Sequence, residues 1–315
     1  MKISFLIVFM IILSILLLSC VSPLINPSHE TVSNNGMVTV PKGWFLMGSD
    51  DGEFNEKPEH EVYVDTFMID RYEVSSRDFA GFLNAGGNPD NRYFTHDEYS
   101  TVIGISSANG KEMETTKISR RFVPRKGFEN YPANNVSWYG AYEYCKWKGK
   151  RLPTEAEWEK AAKGNDVREY PWGDESPDGL KARFSQRWDE NHFRVMVPVD
   201  TLPEGSSPYG LHNMSGNVWE WISDWYRQNY CDFCDPDGSD YDDIAAEISG
   251  ISKAKNIGTP YLPPKYHVKG PSAGSFKVLR GGSWMDSSHG SLRTAHRYWL
   301  MPLDRLSSTG FRCAK

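Results

Sequence analysis

Glycine and proline divide this chain into short segments, and this division limits how it can fold. The 315 residues include 27 Gly and 19 Pro, and both residue types interrupt helices and strands. From Tyr170 onward they are mixed with Trp and Asp, and the strand candidates there are short, at 194–199, 218–222 and 276–279. Regular secondary structure is therefore predicted to be sparse.

Large aromatic side chains can hold such irregular segments together. The chain has 11 Trp, 16 Tyr and 15 Phe, and each aromatic side chain buries roughly 150 to 250 Å². After residue 37, no stretch changes composition strongly enough to mark a boundary between two domains. Residues 37–315 are therefore predicted to form one domain held by aromatic anchors.

Three short helices are predicted in the first half of this domain. Ser75, Ser137 and Thr154 are capping residue types that precede amphipathic stretches, and Thr154 with Glu157 forms a capping box. Glycines after each stretch mark the helix ends, and residues 43–49 and 61–70 have strand patterns. The faces predicted to be buried carry Phe79, Phe82 and Leu83; Trp138, Ala141, Tyr142 and Cys145; and Trp158, Ala161 and Ala162.

The N-terminus has the pattern of an export signal. Lys2 precedes an apolar run that ends in Leu17-Leu18-Ser19-Cys20, which resembles a bacterial lipoprotein signal with the lipid on Cys20. A plain signal peptide or a membrane helix is the alternative, although the run is short for a membrane span. Residues 1–19 are predicted to be the signal and residues 20–36 a lipidated, flexible tether.

These features predict a lipid-anchored, extracytoplasmic protein of the bacterial cell envelope. Val21 is not acidic, which by resemblance to bacterial sorting signals favours the outer membrane. The net charge is −6 with no basic stripe, so nucleic acid is not expected as a partner. The expected partners are the membrane, through Cys20, and an envelope protein, peptide or anionic ligand.

Four sequence blocks occur in order at 58–74, 135–159, 210–221 and 280–313. They include Gly-Lys-Arg-Leu-Pro-Thr-Glu-Ala-Glu-Trp-Glu, Asn-Met-Ser-Gly-Asn-Val-Trp-Glu-Trp, Arg-Gly-Gly-Ser-Trp and Gly-Phe-Arg-Cys. Together they resemble the sulfatase-modifying-factor, or formylglycine-generating-enzyme-like (FGE-like), family. The resemblance implies an α+β fold, a variant of the C-type lectin fold with sparse regular secondary structure.

The resemblance also implies that the family's oxidation chemistry is missing. Asp286 and Ser291 stand where a formylglycine-generating enzyme has its two cysteines. Those thiolates hold copper and bond the substrate thiol, whereas a carboxylate and a hydroxyl lack the soft sulfur that copper prefers. No catalytic residue and no copper are therefore expected.

The family's groove lies beside the 280–283 turn, where this chain would present Ser283, Trp284, Arg293 and Arg297 together with the two degenerate positions. Two arginines beside an aromatic floor can bind a carboxylate, sulfate or phosphate. The alternative is that both arginines pair with internal acids and hold the loop.

A structural calcium ion is implied by the same resemblance. The family carries such a site in the block at 210–221, where Asn213 and Glu220 would supply side-chain oxygens and Gly216 and Val218 backbone carbonyls. Oxygen ligands of this kind suit Ca²⁺, and the alternative is that Asn213 and Glu220 only cap turns.

Two disulfides are predicted for an exported chain. Cys145 and Cys313 fall in blocks whose cysteines pair in some relatives, with two buried thiols as the alternative. Cys231 and Cys234 form a lone CxxC motif, for which a local disulfide is favoured over a redox or zinc site.

Two functional hypotheses remain from the sequence. The first is a non-catalytic binding or assembly module at the envelope. The second is an enzyme of the same fold with altered chemistry, either a sulfatase-maturation factor or a metal-dependent oxidase in which Asp286, His289 and His296 would hold iron.

Overall fold

The computed structural model describes residues 36–105, 121–188, 192–228, 265–266 and 270–315. All of them belong to one unit, Thr31–Lys315. The predicted signal, the Cys20 lipidation site and the Cys231–Cys234 pair lie outside the described residues. In the described part of the chain, no helix combines the length and the apolar character needed to cross a membrane.

Three helices form where the capping signals predict them. The Ser75 and Ser137 hydroxyls each accept a hydrogen bond from the backbone N–H of the third residue of their helix, and Thr154 forms a complete capping box with Glu157. A glycine follows two of the helices directly, with Gly87 and Gly164 at the C-caps. The helices are α1 (Ser76–Gly86), α2 (Trp138–Trp147) and α3 (Glu155–Lys163).

The strands are short and make four small sheets. A four-stranded sheet has the order β10-β9-β7-β11, a three-stranded one the order β2-β3-β8, and β1-β4 and β5-β6 are antiparallel pairs. The strands are β1 (Met37–Val40), β2 (Gly43–Met47), β3 (His60–Val64), β4 (Phe67–Asp70), β5 (Val102–Ile105), β6 (Arg121–Pro124), β7 (Trp219–Trp225), β8 (Lys265–Tyr266), β9 (Lys277–Arg280), β10 (Arg297–Leu300) and β11 (Thr309–Gly310).

Two local expectations are wrong. The stretch at 194–199 is not a strand: a 3-10 turn covers His192–Val195, and the Val197 amide donates to Asn217 Oδ1 instead of to a neighbouring strand. Short apolar runs do not distinguish a strand from a buried loop. Tyr142 is 39% exposed and stacks on Trp138 instead of facing inward, because Tyr144 takes the buried position on that face of α2.

The apolar core has two main parts. One gathers the buried faces of α1 and α2 around Phe79, Tyr144 and Phe311. The other lies between α3 and the strands β2 and β3, with Trp158 fully buried at its centre. The aromatic side chains that the composition emphasises therefore do fill the interior.

A disulfide joins Cys145 in α2 to Cys313 near the C-terminus, across 168 residues. Both cysteines are fully buried, within the core part that contains Phe79. The bond attaches the last residues of the chain to the helical half of the domain. This is the pair that the family resemblance implied.

Replacing both cysteines, as Cys145→Ala/Cys313→Ala, is expected to lower the free energy of unfolding by about 3 to 5 kcal/mol, because the bond closes a long loop in the unfolded chain. Urea denaturation of the oxidised protein and the double variant measures the difference. An unchanged transition midpoint would show that the bond does not form in solution.

Candidate functional site

A groove of about 500 Å³ opens beside the turn that follows β9. Ser283, Asp286 and Ser291 line it on the side of the turn, and the short 3-10 helix Phe54–Glu56 contributes from the opposite end of the sequence. The two positions that replace the family's cysteines therefore lie in one cavity. The remaining lining residues are Glu53, Trp219, Tyr226, Gln228, Met285, His296, Arg297, Tyr298, Trp299, Leu300, Leu306, Ser308 and Thr309.

Stacked aromatic rings form one wall of the groove. The rings of Tyr226 and Trp299 stack with centroids 4.4 Å apart, and those of Trp219 and Tyr298 stack at 5.2 Å. Tyr298 and Trp299 are 40% and 37% exposed. Both residues belong to β10, which is the edge strand of the four-stranded sheet. Their side chains therefore remain partly open to solvent.

The turn itself has a fixed conformation. Gly282 has a φ of +73°, and a Cβ there would lie 2.7 Å from the Ser291 carbonyl oxygen, so only glycine allows the two segments to approach this closely. Asp286 Oδ2 accepts hydrogen bonds from both the backbone N–H and the hydroxyl of Ser283, at 2.9 and 2.6 Å. The carboxylate that replaces a cysteine thus closes the turn.

Arg293 and Arg297 are paired inside the protein, which corrects their assignment as ligand-binding residues. Arg293 makes two hydrogen bonds of 2.7 Å to Glu56. Arg297 binds both oxygens of Glu155 at 2.7 and 3.0 Å and is 1% exposed. Although Arg297 borders the groove, its charge is neutralised from behind, as in the alternative that the sequence left open.

Helix α3 supplies the acids for this arrangement. Glu155 and Glu159 are one turn apart and face the same side, where Glu159 binds the fully buried Arg280. Lys163 forms a second ion pair with Glu159, with its Nζ atom 3.1 Å from Glu159 Oε1. Burial opposes the ionisation of Glu159, but the charges of Lys163 and Arg280 outweigh it and lower the pKa of this carboxyl.

Glu56 has the same balance of forces. Its burial disfavours the charged form, whereas hydrogen bonds from His296 and Arg293 favour it and hold its pKa below the usual value. The His296 Nδ1 atom lies 3.3 Å from Glu56 Oε1. Glu56 therefore links the 3-10 helix to the segment before β10.

The assignment of Trp284 to ligand binding is also corrected. Trp284 is 3% exposed and packs against Val195, Met196 and Val218, because the turn directs it into the core.

The proposed iron ligands do not come together either. Among the described residues there is no group of three His, Cys, Asp or Glu side chains that could hold a metal ion. His289 instead packs edge-on against Phe184.

The predicted calcium residues lie in a buried polar network. Both Glu220 oxygens accept from Arg312 at 2.7 Å, and Oε2 also accepts from Trp158 Nε1. This ion pair corrects the expectation for Glu220, whose charge is neutralised by a guanidinium. Asn213 Oδ1, in contrast, is buried without a hydrogen-bond partner, which fits a cation. The site thus fits calcium through Asn213 and not through Glu220.

Glu73 lies next to that unpaired oxygen. Its carboxylate accepts from the side-chain amides of Asn213 and Asn217 at 2.9 and 3.0 Å. Burial, reinforced by the negative charge of Glu220, raises the pKa of Glu73 to about 8. A carboxyl of this kind is neutral near pH 7 unless a cation compensates its charge.

Sequence reasoning missed several residues of this site. Glu53, Asn55 and Thr309 carry no local signal, and Glu56 lies 237 positions from its partner Arg293. The sequence shows that aromatic residues are abundant, but it does not show which rings stack on one another.

Comparison with known proteins identifies one domain family and several similar proteins. The model of the sulfatase-modifying factor enzyme 1-like domain matches residues 21–315. The formylglycine-generating enzyme of Thermomonospora curvata is 33% identical over 316 residues, covering 89% of this chain and 93% of the enzyme. The inactive Cα-formylglycine-generating enzyme 2 of Mus musculus is 30% identical over 342 residues, covering 96% and 92%.

A longer protein is also similar. The serine/threonine-protein kinase pkn1 of Chlamydia caviae is 34% identical over 280 residues, which are 89% of this chain and 38% of the kinase. The chain thus spans about two fifths of the length of that relative. Among solved structures, PvdO from Pseudomonas aeruginosa matches with a TM-score of 0.59 at 23% identity, covering 88% of this chain and 93% of PvdO.

Replacing Arg297 by alanine is expected to lower the free energy of unfolding by about 3 to 5 kcal/mol, because the buried Glu155 would lose both hydrogen bonds from this guanidinium. Only the more distant charge of Arg280, 3.6 Å away, would remain beside it. Thermal and urea denaturation measure this loss. Lys146→Ala is the control, since Lys146 forms an exposed pair with Glu143 and should cost less than about 1 kcal/mol. A similarly small effect at Arg297 would restore its assignment to ligand binding.

In the presence of a calcium chelator, the free energy of unfolding is expected to fall as pH rises from about 5 to 8, because of the Glu73 carboxyl. The folded state keeps this proton up to a pKa of about 8 and the unfolded state releases it near 4.5, so stability is lost at up to about 1.4 kcal/mol per pH unit. Urea denaturation across this range should show a flatter profile for Glu73→Gln than for wild type or the exposed control Glu61→Gln. Parallel profiles would contradict the shift.

Proposed function

The chain belongs to the sulfatase-modifying factor enzyme 1-like domain family, and from this premise we propose that it is a non-catalytic member that binds a polypeptide segment in its groove at the cell envelope. The observation that carries the proposal is the set of residues that line the groove. Asp286 and Ser291 line it at the degenerate positions, so the cavity is retained without the family's sulfur chemistry.

The chemistry of these residues supports binding over oxidation. Asp286 already accepts two hydrogen bonds from Ser283, and carboxylate and hydroxyl oxygens are poor ligands for Cu(I), which selects soft sulfur. In the part of the chain that the structure describes, Cys145 and Cys313 are joined as a disulfide, so they offer no thiolate to a metal or a substrate. No copper is expected in the protein.

The walls of the groove suit a polypeptide. Tyr and Trp are enriched at the centres of protein interfaces, where they bury large areas at low entropic cost. Here Tyr298 and Trp299 present such surfaces. Exposed apolar side chains at the groove, Phe54 at 66%, Met285 at 55% and Leu306 at 42%, can take up flanking residues of a bound segment.

The names of two relatives support the same interpretation. One is an inactive formylglycine-generating enzyme, and another is named a kinase and is more than twice as long as the matched region. A domain found within a longer protein of another named activity is consistent with use as a binding module. The fold alone does not select a function.

Two experiments test the proposal. Incubation with a Cys-x-Pro-x-Arg peptide should yield no aldehyde by hydrazide labelling and mass spectrometry. Peptides selected from a displayed random library should require the groove: Ser291→Trp, which fills it, should abolish their binding, whereas Ser287→Trp, an exposed neighbour, should not. Aldehyde formation, or selected peptides that ignore Ser291→Trp, would refute the binding module.

We propose further that Cys20 is lipidated and holds the module at the outer membrane. The apolar run and the cysteine support this location. Wild-type protein should incorporate labelled palmitate and sediment with the outer membrane. Cys20→Ala should do neither, and membrane retention of that variant would favour an uncleaved anchor.

We also propose a structural calcium ion held by Asn213 Oδ1 and the backbone carbonyls of Gly216 and Val218. The buried oxygen of Asn213 without a partner supports it. Millimolar Ca²⁺ should raise the melting temperature by several degrees in a concentration-dependent way. Asn213→Ala should remove this increase. Asn84→Ala, which changes a side chain on α1 that bonds Phe122, should preserve it. A melting temperature that ignores Ca²⁺ would remove calcium from the proposal.

A further inference from the structure

We infer that the C-terminal end of helix α2 is a second membrane contact, which rests on anionic phospholipid and holds the groove away from the bilayer. We call this surface, formed by Lys146, Trp147 and Lys148, the α2 end. The inference rests on the proposed lipid on Cys20 and goes beyond it, because a lipid on a tether retains a domain without orienting it.

Trp147 has the position of an interfacial anchor. Its ring packs against Phe82 and Tyr144 of the core, with ring centroids 5.7 and 6.0 Å apart, whereas 47% of the residue remains exposed. Tryptophan is enriched at membrane–water interfaces, because its ring is apolar and its N–H can stay in the polar layer. The core contacts already hold the ring in place, so little conformational entropy is lost when lipid covers the exposed part.

Two lysines flank this ring. The side chains of Lys146 and Lys148 are 66% and 38% exposed. Their contacts with Glu143 and Asp78 are 3.8 and 4.0 Å long and open to solvent, and ion pairs of this kind contribute little. Lysines near anionic lipid are attracted by its negative surface potential. Two lysines and one ring are too few to hold a protein without a lipid anchor, so the contact orients a domain that is already anchored.

The local charge at the α2 end differs from that of the whole chain. The chain has a net charge of −6, but four of the six consecutive residues that begin with Lys146 are basic. Lys150 is bound by Asp70 at 2.5 Å, and Arg151 is bound by Glu157 at 2.6 Å, which leaves the other two lysines on the outside. The helix dipole favours a basic residue in the last turn of a helix, but it does not account for an exposed tryptophan between two lysines.

The chain enters the folded domain close to the α2 end. Met37, the first residue of β1, pairs with Asp70 in β4, and Asp70 Oδ1 lies 2.5 Å from Lys150 Nζ. The predicted tether of residues 21–36 would span roughly 20 to 24 Å on average. This is less than the width of a domain of this size, which is roughly 50 Å. A lipid on Cys20 would therefore keep this side of the domain near the bilayer.

Helix α2 separates the α2 end from the groove. At the other end of the helix, the backbone N–H of Trp138 donates to the Pro302 carbonyl at 3.1 Å, two residues after Leu300, which lines the groove. The helix has 10 residues and is about 15 Å long. Contact of the α2 end with the bilayer therefore keeps this rim of the groove away from the lipid, where a polypeptide can reach it.

Amine labelling of single residues tests the contact. The full chain is purified from membranes, reconstituted into vesicles of phosphatidylcholine alone or mixed with phosphatidylglycerol, and acetylated with an impermeant reagent. Lys146 and Lys148 should react about fivefold more slowly in the anionic vesicles, and high salt should reduce this protection. Lys57, an exposed lysine that follows the 3-10 helix at the groove, is the internal control and should react equally in both.

Fluorescence quenching by lipids with brominated acyl chains tests the tryptophan. In anionic vesicles, Trp147→Phe should remove part of the quenching that the wild type shows. The same substitution should change nothing in the background of Lys146→Gln/Lys148→Gln. In the matched control background Lys57→Gln/Arg194→Gln, which removes the same charge at two other exposed positions, it should still remove that part. All these side chains are at least partly exposed, so the melting temperatures should stay close to wild type.

Several outcomes would overturn the contact. Equal labelling of Lys146, Lys148 and Lys57 in anionic vesicles would do so, as would equal protection in phosphatidylcholine alone. Protection by soluble polyphosphate, without lipid quenching of Trp147, would assign the surface to an anionic polymer instead.

The proposed anchor fails or holds separately. Palmitate labelling tests Cys20 by itself, and a lipidated protein with unprotected lysines would keep the anchor and refute the contact. A protein that does not float with the vesicles would refute both.

Discussion

Buried pairs of arginine and glutamate are the interactions on which the rest of this structure depends. Arg280, Arg297 and Arg312 are almost completely buried and bind Glu159, Glu155 and Glu220. Each guanidinium also donates to backbone carbonyls of loops, as Arg280 does to residues 294–296. Because a buried charge must be paired, these contacts allow few alternative loop arrangements. They take the role that long strand ladders have in more regular folds.

Arginine–glutamate pairs also decide the electrostatic character of the groove. Arg293 and Arg297 would have made it a basic site, but Glu56 and Glu155 neutralise their charges. These pairs attach the segment before β10 to the 3-10 helix and the start of β10 to α3. The cavity is then lined by an aromatic wall and by the carboxylates of Glu53 and Asp286. This lining suits the recognition role that we propose for the groove.

Much of the architecture was predictable because its signals are local. The caps at Ser75, Ser137 and Thr154 set the helix starts through contacts within three residues. The abundance of glycine, proline and aromatic residues predicted short strands and aromatic anchors, and the family resemblance indicated the α+β, FGE-like fold that the similarity to known proteins supports. The errors at 194–199 and Tyr142 occurred where packing, and not local propensity, decided the outcome.

The sequence by itself determined that the two family cysteines are absent, since residue identity alone removes the sulfur at Asp286 and Ser291. It also determined which residues could pair, because only arginine, lysine and acids carry the required charges. Tertiary structure alone decided which of them do pair: Glu56 meets Arg293 across 237 positions, and Asn55 joins Thr309 at one cavity. No local pattern encodes such distances, because the partners come together only when the whole chain has packed.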